Sequence, residues 1–575
     1  MKSKKLLATV LSAVITFSAV SAVSAAPVGK ESKNEPKTTT IFWEKSKQNT
    51  RKPTTDVTQK KFRSSEEINK FFKENISKFG LKKGDLKNTK SVKDAKGKTH
   101  YHTIYQVEGI PVYYGRIVFT TDQDATMNSI NGRIDTAFEN ENWKNKINIS
   151  KDDAIAKAKN NIKDEEISKS EGKLYLYNFE GTPYVVYLVD LVTDSGNWKV
   201  FVNAENGSIV NKFNNTPTLI DDNDQKLPNA KEVKAEAEKA NKTNNIIDVQ
   251  GQSVKGKGKT SLDGIVDIDL TYKDGKYYLK DSNKNVFTYD INNSWLPLYN
   301  VSKSYILQYS NLVENNNNNF IDDKHVSAVD AHVNLGKTYD YYKSKLNRNS
   351  IDNKGMNVEG FVHVGQSYNN AFWRDDLGSM FFGDGDGKLF SPLSKSLDVV
   401  GHEVSHGVTS KESALIYEDE SGALNEAFSD IMGVAIDGKN FEIGEECFTP
   451  KVAGDTMRDM KDPSRGDQPA HMKDFVYTNE DHGGVHTNSG IINHAAYLIA
   501  DGLEKAGAKD SKDIMGKIFY DANCYQWDET TNFAKCRNDV VKVTKNLYGE
   551  NNNYVKIVEN AFDKVGISAT PQLPL

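Results

Sequence analysis

The spacing of apolar residues changes several times along the chain and predicts a series of compact units. A helical pattern over residues 65–79 is followed by strand-like alternation in 100–107 and 110–114. A second unit starts at Ser150, an N-cap residue before a helix. Its strands are predicted at 173–178, 184–191 and 198–202. The chain before residue 216 is therefore predicted to form two small α+β units.

After these two units the chain has a polar stretch, then a long region with strand patterns and a long region with a helical pattern. Residues 216–245 are rich in Lys, Glu, Asn and Ala and have almost no large apolar side chains, which predicts a linker open to proteolysis. Strand patterns with Gly, Asn and Asp turns dominate residues 246–395, and a mainly helical pattern fills 396–575. Because 575 residues exceed what one core can organise, we predict an α+β protein with several domains.

The first 25 residues have the three-part pattern of a secretory signal peptide. Lysines at positions 2, 4 and 5 precede an apolar stretch over 6–23, and small residues follow at 24–26. A membrane anchor is the weaker alternative, because serine and threonine residues dilute this stretch. We expect residues 1–25 to be removed and the rest of the chain to be secreted.

Charge and cysteine content narrow the functional classes. The formal net charge is −5 with both signs mixed along the chain, so neither nucleic acid nor a membrane is an expected partner. Three cysteines are too few for a disulfide framework, so packing or bound ions must stabilise the secreted protein. The spacing leaves open whether Cys524 and Cys536 form a disulfide.

The motif His402-Glu-Val-Ser-His406 is the strongest chemical signal in the sequence. Residues four apart share one face of a helix, so both imidazoles can bind one metal ion while Glu403 reaches a metal-bound water. Glu426 offers a third ligand on a second predicted helix, and Asp430 lies one turn further on the same face. Three protein ligands would leave a coordination position for water, as in catalytic zinc sites.

These signals also have simpler explanations. The chain has 11 histidines, so a chance H-E-x-x-H match is expected on the order of one or two times in a hundred. Glu426 and Asp430 alone would more often belong to a solvated helix face. A fourth protein ligand would indicate a structural zinc site, and no obvious candidate for one occurs in the sequence.

Three segments, 398–409, 422–430 and 483–493, closely resemble the thermolysin-like neutral zinc metalloproteases, which are gluzincins. The resemblance extends over about residues 249–567. It implies a two-lobed α+β catalytic unit, β-rich over 246–395 and mainly helical over 396–575, with a central zinc helix. The preceding region resembles that family's propeptides, with a fungalysin/thermolysin-type module over 26–145 and a PepSY-type module over 146–215. Residues 216–245 would then contain the maturation cleavage region.

The resemblance implies how zinc is bound and used. One zinc ion would be bound by three side chains, those of His402, His406 and Glu426. Glu403 would act as general base and then general acid. The two histidines would be oriented by Asp430 and by the backbone carbonyl of Asn425.

Further catalytic residues are implied in the same way. Tyr417 and His486 would hydrogen-bond the tetrahedral intermediate, with Asp481 holding His486. The neighbouring Gly483 and Gly484 let a loop bring His486 close to substrate, and a carboxylate beside it would favour its charged form.

The resemblance also places the substrate. Asn370 and Ala371 would present an edge strand to an extended peptide, and Arg458 would bind the peptide backbone. An apolar pocket for the residue after the scissile bond implies a preference for bulky apolar side chains. Its expected lining is Phe390, Leu393, Val399, Ile443, Cys447 and Met457.

Calcium is the second metal that the resemblance implies. Calcium prefers several hard oxygen donors. The expected acidic ligands are Asp398, Asp437, Glu442 and Glu445, with Thr449 and Asp455 forming a separate site. Asn440 stands where a further carboxylate is common, so the number of ions is left open.

Together these features predict a secreted zinc endopeptidase made as a zymogen. Its partners would be protein and peptide substrates and its own propeptide, which would act as chaperone and inhibitor, and the enzyme would be a monomer. A catalytically inactive peptide-binding relative is the alternative. The two differ at Glu403, which binding alone does not require.

Overall fold

The computed structural model describes residues 38–44, 57–162, 167–193, 196–220, 228, 230–239, 249–299 and 301–571. The predicted signal peptide, residues 1–25, lies outside the described residues. None of the helices in the described ranges combines the length and the apolar character needed to cross a membrane.

The N-terminal region, residues 38–214, consists of two helix-on-sheet units. Its helices are α1 (Ser65–Glu74) and α2 (Lys151–Asn161). Its strands are β1 (Thr38–Glu44), β2 (Asp85–Lys93), β3 (Thr99–Val107), β4 (Ile110–Thr121), β5 (Met127–Asp135), β6 (Ile167–Phe179), β7 (Thr182–Thr193), β8 (Gly196–Asn203) and β9 (Ile209–Asn214). The predicted N-cap is confirmed, because the side chains of Ser150 and Asp153 form a reciprocal capping box at the start of α2.

These strands form one sheet in which the two units meet. Its order is β1-β5-β4-β6-β7-β8-β9, and β3 pairs with both β4 and β2. The junction is a single parallel pair between Val112 of β4 and Leu176 of β6. Each unit buries its own core, around Trp43 and Trp143 in the first and around Ala154 of α2 in the second.

The predicted linker is partly structured. Residues 216–220 run along the rest of the protein, and helix α3 (Ala230–Lys239) follows. Val233 and Ala237 of α3 are buried in a core that includes Tyr299 and Leu296. Among the described side chains of α3, these two are the ones buried in that core, and the polar composition of 216–245 did not indicate a helix.

The β-rich lobe follows. Its strands are β10 (Gln252–Thr260), β11 (Gly264–Lys273), β12 (Lys276–Tyr278), β13 (Lys280–Asp281), β14 (Val286–Asp290), β15 (Asn311–Leu312), β16 (Glu314–Asn315), β17 (Asn319–Phe320), β18 (Val358–Val362), β19 (Ala371–Arg374) and β20 (Ser379–Phe382). Its helices are α4 (Lys303–Gln308) and α5 (Val326–Leu346). One sheet has the order β16-β12-β11-β10-β17; the other has the order β13-β14-β18-β20-β19, with β15 beside β14. Strand β19 is thus an edge strand among the described residues.

The helical lobe completes the chain. Its elements are α6 (Leu397–Lys411), α7 (Asp419–Asp437), β21 (Glu442–Ile443), β22 (Arg458–Asp459), α8 (Asp481–Lys505), α9 (Ser511–Tyr525), α10 (Phe533–Tyr548) and α11 (Asn553–Lys564). One large hydrophobic core joins these helices to α5 and the second sheet of the β-rich lobe. The predicted order of a β-rich lobe followed by a mainly helical lobe is confirmed.

The N-terminal region packs on the helical lobe through buried polar contacts. Asn131 Nδ2 of β5 donates to Asp539 Oδ1 of α10 at 2.7 Å, and Lys542 Nζ of α10 donates to Thr120 Oγ1 of β4 at 2.6 Å. Lys535, also in α10, is buried and pairs with Asp539 at 2.7 Å. A buried polar group costs free energy when its partner is lost. The polar side chains on this face of α10 are therefore stabilised by their hydrogen-bond partners in the N-terminal sheet.

The cysteines are all buried and free. Cys524 and Cys536 do not form a disulfide, and Cys447 is also a thiol. The stability of the described residues therefore comes from packing and polar contacts and not from a covalent cross-link.

Helices α6 and α7 approach each other so closely that the contact requires glycine. A Cβ added at Gly433 of α7 would lie 2.6 Å from the backbone oxygen of Asp398 in α6. On α6, a Cβ added at Gly401 would lie 3.3 Å from the Cα of Gly433. The absence of both side chains lets the two helices meet backbone to backbone next to the H-E-x-x-H motif.

We expect Gly433→Ala to lower the free energy of unfolding by about 1–3 kcal/mol, because the added methyl group must displace α6. The matched control is Gly336→Ala in α5, where the nearest atom to an added Cβ is Lys284 Nζ at 3.7 Å. The control should be neutral or stabilising, by up to about 1 kcal/mol. Thermal unfolding of the metal-free proteins measures both; equal losses would contradict the role of the close contact.

Candidate metal centre and cleft

The H-E-x-x-H motif lies on α6, and its two histidines face α7. His402, His406 and Glu426 are completely or almost completely buried, and one ligand atom from each lies within 4.8 Å of the others. His402 Nε2 and His406 Nε2 are 2.9 Å apart, and they lie 3.5 and 3.3 Å from carboxylate oxygens of Glu426. The opposite side of α6 places Val400 and Val404 in the main core. The predicted three-ligand cluster is therefore brought together.

The donor set fits a divalent metal ion. The Nδ1 atom of His402 faces Asp430 Oδ1 at 2.8 Å, and that of His406 faces Asn425 Oδ1 at 2.9 Å. Each Nδ1 therefore donates a proton, and each Nε2 presents a lone pair to the centre. Glu426 Oε2 is buried without a hydrogen-bond partner among the described residues. A cation in this position would bind the Nε2 lone pairs of both histidines and the carboxylate of Glu426. Two imidazoles with one carboxylate are characteristic ligands of zinc.

Charges in this cluster depend on one another. Burial lowers the pKa of His402 to about 4, which keeps its ring neutral and able to bind metal. Burial opposes the charge of Glu426, but His486, His406 and His402 outweigh it and hold the pKa of that carboxyl well below its usual range. Burial opposes the charge of His406 as well, but Glu426 outweighs it and raises the pKa of that ring. Zinc binding requires neutral imidazoles and a charged carboxylate, so zinc must compete with a proton at His406.

Asp430 is the centre of a buried network behind the metal site. It accepts hydrogen bonds from His402, from Asn493 Nδ2 at 2.8 Å, and from Arg458 through Nε at 2.8 Å and Nη2 at 2.7 Å. Its pKa is lowered to about 2 despite its burial, because Arg458 and His402 stabilise the charged form.

The expectation for Asn425 needs one correction. Its side-chain oxygen, and not its backbone carbonyl, faces His406. A backbone carbonyl inside a helix already accepts the bond from the residue four positions later, whereas a side-chain amide on the face of α7 is free to turn to the neighbouring helix.

Glu403 lies beside the cluster as a buried and unpaired acid. Both of its carboxylate oxygens lack a hydrogen-bond partner among the described residues. Burial raises its pKa to about 8. An unpaired carboxyl group in a native core is costly and points to a missing partner such as a water molecule, a metal ion or substrate.

Tyr417 and His486 face the metal cluster from the other side. Their side chains are 3.1 Å apart, from the hydroxyl to Nε2, and the Tyr417 hydroxyl also lies within hydrogen-bond distance of Glu426 Oε1. His486 Nδ1 binds Asp481 Oδ1 at 2.5 Å. Burial acts against the charged form of His486, but Glu426 and Asp481 outweigh it and raise the pKa to about 9. At neutral pH this pair offers two hydrogen-bond donors.

His486 lies in the first turn of the right-handed part of α8, directly after the expected glycine segment. Residues 481–484 all have left-handed backbone angles, with φ of 49°, 51°, 81° and 78°, so the chain is kinked just before Val485. A Cβ at Gly483 would lie 2.4 Å from Asp419 Oδ1, so glycine is required at that position. The kink folds Asp481 back onto the ring and the backbone N–H of His486.

Residues 215–220, which we call the strap, occupy the cleft between the lobes. The carbonyl oxygen of Thr218 accepts hydrogen bonds from His486 Nε2 at 2.7 Å and from the Tyr417 hydroxyl at 3.2 Å. The next residue, Leu219, donates its N–H to the backbone oxygen of Ala371 at 3.0 Å, and its carbonyl oxygen accepts from Arg458 Nη1 at 3.0 Å.

The last residue of the strap forms two hydrogen bonds with the side-chain amide of Asn370. Ile220 donates its N–H to Asn370 Oδ1 at 3.2 Å and accepts from Asn370 Nδ2 at 3.0 Å. No sequence pattern predicted that this segment occupies the cleft. Its only signal was the adjacent pair Leu219 and Ile220 in an otherwise polar stretch.

The side chain of Leu219 is fully buried. It belongs to the main hydrophobic core together with all six residues expected to line the apolar pocket, which are Phe390, Leu393, Val399, Ile443, Cys447 and Met457. The side chain of Leu219 is therefore buried in the same large core as the residues expected to line the pocket.

Only part of the expected calcium cluster comes together. Burial and the nearby Glu445 and Asp437 raise the pKa of Asp398 to about 8, as in a group of carboxylates without enough cations. Lys439 Nζ lies 3.1 Å from Asp437 Oδ1. The carboxylate of Glu442 pairs instead with Arg465.

The separate pair expected to bind calcium is in contact. Thr449 Oγ1 donates to Asp455 Oδ2 at 2.7 Å.

A buried His–His–Glu cluster, an unpaired carboxyl group and two donors in a cleft define the class of metal-dependent hydrolases. Comparison with known protein families narrows this class to a single family. Residues 255–410 match the family model "Thermolysin metallopeptidase, catalytic domain", and residues 413–567 match "Thermolysin metallopeptidase, alpha-helical domain". Residues 84–134 match "Fungalysin/Thermolysin Propeptide Motif", and residues 148–213 match "Peptidase propeptide and YPEB domain".

Similar proteins extend over most of the chain. It is 38% identical to a bacillolysin of Bacillus cereus over 80% of this chain and 81% of the relative. It is 35% identical to a thermolysin of Alicyclobacillus acidocaldarius subsp. acidocaldarius over 81% and 84%, and 32% identical to neutral protease B of Bacillus subtilis (strain 168) over 90% of each chain. The chain therefore belongs to the thermolysin family of zinc-dependent metallopeptidases and is a metalloendopeptidase with a propeptide.

One solved structure is also similar in sequence. The precursor of protealysin, a metalloproteinase from Serratia proteamaculans, is 34% identical over 49% of this chain and 87% of that chain, with a TM-score of 0.42.

We expect Asp430→Asn to weaken zinc binding about 10–100-fold, because the neutral amide orients His402 less firmly and leaves Arg458 without its charged partner. Competition with a chromogenic chelator measures the affinity. Asp501→Asn is the matched control, since Asp501 lies on the surface of α8 and pairs only with exposed Lys505. Unchanged zinc affinity in Asp430→Asn would contradict the orienting role.

Proposed function

We propose that the mature protein hydrolyses peptide bonds on the N-terminal side of bulky apolar residues, with zinc bound by His402, His406 and Glu426. When bound there, zinc supplies a Lewis acid that activates water and offsets negative charge. The observation that carries the proposal is the unpaired Glu403 next to this cluster and opposite two hydrogen-bond donors. The described residues place no fourth protein ligand in the cluster, which argues against a purely structural zinc site.

Glu403 is the proposed proton carrier. Its carboxylate takes a proton from the attacking water and gives it to the nitrogen of the departing amine. Tyr417 and charged His486 donate hydrogen bonds to the carbonyl oxygen as negative charge develops on it. Asp481 holds His486 in place and supports its charge.

The peptide backbone is held on both sides of the pocket. Ala371 accepts the N–H of the residue after the scissile bond, and Arg458 binds its carbonyl oxygen. Asn370 binds the next residue through both ends of its amide. Contacts of this kind bind the peptide backbone irrespective of its side chains, so the selectivity for particular residues comes from the apolar pocket.

The prodomain, residues 38–214 of the described chain, is proposed to inhibit the enzyme by laying the strap in this cleft. We further propose that residues 1–25 direct secretion, that 26–145 and 146–215 form the two propeptide modules, and that 246–395 and 396–575 form the catalytic lobes. Cleavage within 216–245 would release the prodomain.

We propose one structural calcium ion at Asp398, Asp437 and Glu445. These carboxylates provide hard oxygen ligands, and their mutual repulsion favours a cation. The ammonium group of Lys439 beside Asp437 and the pairing of Glu442 with Arg465 reduce the negative charge available for a second ion there.

We expect Glu403→Gln to keep its zinc and to lose activity by at least about 100- to 10,000-fold, because the amide cannot carry the proton. Zinc content by atomic emission and hydrolysis of casein by the matured protein measure the two effects. Glu504→Gln on the exposed surface of α8 is the control. A strong zinc chelator should abolish activity in the wild type, and full activity of Glu403→Gln would contradict the mechanism.

We expect the pocket to discriminate by size. A peptide with Leu after the scissile bond should be cleaved with a kcat/KM about 10- to 100-fold higher than the same peptide with Ala, since burying a leucine is worth roughly 1.5–3 kcal/mol. Paired fluorogenic peptides that differ at this residue alone measure the ratio. A ratio near one would exclude the pocket as the source of selectivity.

A further inference from the structure

Two histidines of the prodomain lie in its contact with the helical lobe. His100 and His102 are two residues apart in β3, so their side chains point to the same face of the sheet. Tyr101, between them, points to the other face and belongs to the core of the first unit. Both histidines are buried, with 0% and 7% of their surface exposed. The proposed mechanism of peptide hydrolysis uses neither ring.

The hydrogen bonds between His100 and the helical lobe require a neutral ring. Lys542 Nζ of α10 donates to Gln526 Oε1 at 2.5 Å, and an ammonium group can only donate. The other end of that amide, Gln526 Nε2, therefore faces His100 Nδ1, at 2.9 Å. Because an amide NH₂ group also only donates, His100 Nδ1 must accept and cannot carry a proton.

The single proton of the His100 ring lies on the other nitrogen. His100 Nε2 faces Asp94 Oδ2 at 3.2 Å and donates to it. Lys542 Nζ also donates to Thr120 Oγ1 at 2.6 Å, and this oxygen lies 3.1 Å from His100 Nδ1. A second proton on Nδ1 would set an N–H group against the amide of Gln526 and would place a positive charge next to Lys542.

The surroundings of His100 disfavour a charged ring. Burial has the largest effect; Asp94, between β2 and β3, acts against it, whereas Lys542 and Lys98 act with it. Together they lower the pKa of His100 to about 4. Tyr525 of α9 stacks on the ring, with 5.8 Å between the ring centroids.

His102 lies among ammonium groups. Its Nε2 atom is buried and has no hydrogen-bond partner among the described residues. Burial lowers the pKa of His102 well below its ordinary value, and nearby positive charges act in the same direction. These charges belong to Lys535 of α10, Lys90 of β2 and Lys542 of α10. Asp528 and Asp539 pair with Lys535, at 3.6 and 2.7 Å, so their charges are already matched.

We propose that this contact is an acid-sensitive switch: the prodomain stays docked on the helical lobe while His100 and His102 are neutral, and it undocks when they take up protons. The inference rests on the proposed role of residues 38–214 as an inhibitory prodomain, and it adds the condition under which that domain leaves the catalytic unit. Each ring only gains a proton from solvent, and no other bond is made or broken.

The direction of the effect follows from the linkage between protonation and docking. Undocking exposes both rings to water, where a histidine has a pKa of about 6.5. The docked rings bind protons only at lower pH, so between the two pKa values a proton favours the undocked state. Docking is therefore strongest above about pH 6.5 and weakens as the pH falls, by up to about tenfold for each histidine and each pH unit.

The test measures docking in the Glu403→Gln precursor in buffers that contain zinc. A recognition site for a sequence-specific protease, placed within residues 221–227, allows the chain to be nicked at one position. Sedimentation equilibrium then gives the dissociation constant of the prodomain at pH 7.5 and at pH 5.5. It should rise about 100-fold over this range, about tenfold for each ring. A change of less than about threefold would overturn the proposal.

Variants assign the effect to these two rings. His100→Asn places a neutral carbonyl oxygen near the position of Nδ1, and His102→Gln removes the second titrating ring. The dissociation constant of the double variant should change by less than about threefold between pH 7.5 and pH 5.5. His363→Asn is the matched control and should keep the full pH dependence, because His363 lies in the β-rich lobe and pairs there with Asp384. Wild-type pH dependence in the double variant would contradict the assignment.

The protonation of the rings can be read without nicking the chain. In the Glu403→Gln precursor with isotope-labelled histidine, nitrogen chemical shifts at pH 6 should show a neutral His100 ring with its proton on Nε2. An ordinary histidine is about three-quarters charged at that pH. A charged His100 ring in the docked precursor would overturn the proposal.

Casein hydrolysis by wild-type protein, matured with added protease and assayed at pH 7.5, separates this inference from the proposed function. If the matured protein is active and the dissociation constant does not change with pH, only the acid-sensitive switch is wrong. If the matured protein is inactive, the proposed function is wrong, and the docking measurements still decide whether the two histidines control the contact.

Discussion

The buried ion pair between Asp430 and Arg458 connects the metal centre to the peptide-binding cleft. Asp430 faces Nδ1 of His402, which is proposed to bind zinc, and Arg458 donates to the carbonyl oxygen of Leu219 at 3.0 Å. Each charge is costly to bury alone and is stabilised by the other. The proposed metal site and the strap are therefore positioned by one shared ion pair.

The position of the metal site depends in turn on the backbone contact between α6 and α7. Gly433 lets the helices meet, and their antiparallel course brings Glu426 and Asp430 to His402 and His406. The prodomain adds a second level of positioning. Its sheet packs on α10 through buried polar contacts. The chain continues from the prodomain directly into the strap, so the folded prodomain positions this segment in the cleft. The proposed inhibition then uses the same side chains that are proposed to bind a substrate.

Local patterns predicted much of this arrangement. The spacing of His402 and His406 defines one helix face, and the two lobes follow from the change of period near residue 395. The features that were missed depend on contacts distant in sequence or on unusual backbone angles. The run of left-handed residues from Asp481 to Gly484, which brings Asp481 against His486, leaves no periodic signal. Asn425 acts through its side chain, which spacing does not distinguish from its backbone. The strap was hidden in a polar stretch, since its partners lie about 150–270 positions away.

Zinc-edge anomalous diffraction from crystals of the Glu403→Gln precursor grown with zinc tests the central claim most directly. The account predicts one strong peak in the cleft, about 2.0–2.2 Å from His402 Nε2, His406 Nε2 and a Glu426 oxygen, with the Thr218 carbonyl beside it. A peak elsewhere, a fourth protein ligand at this site, or a strap lying in another register would contradict it.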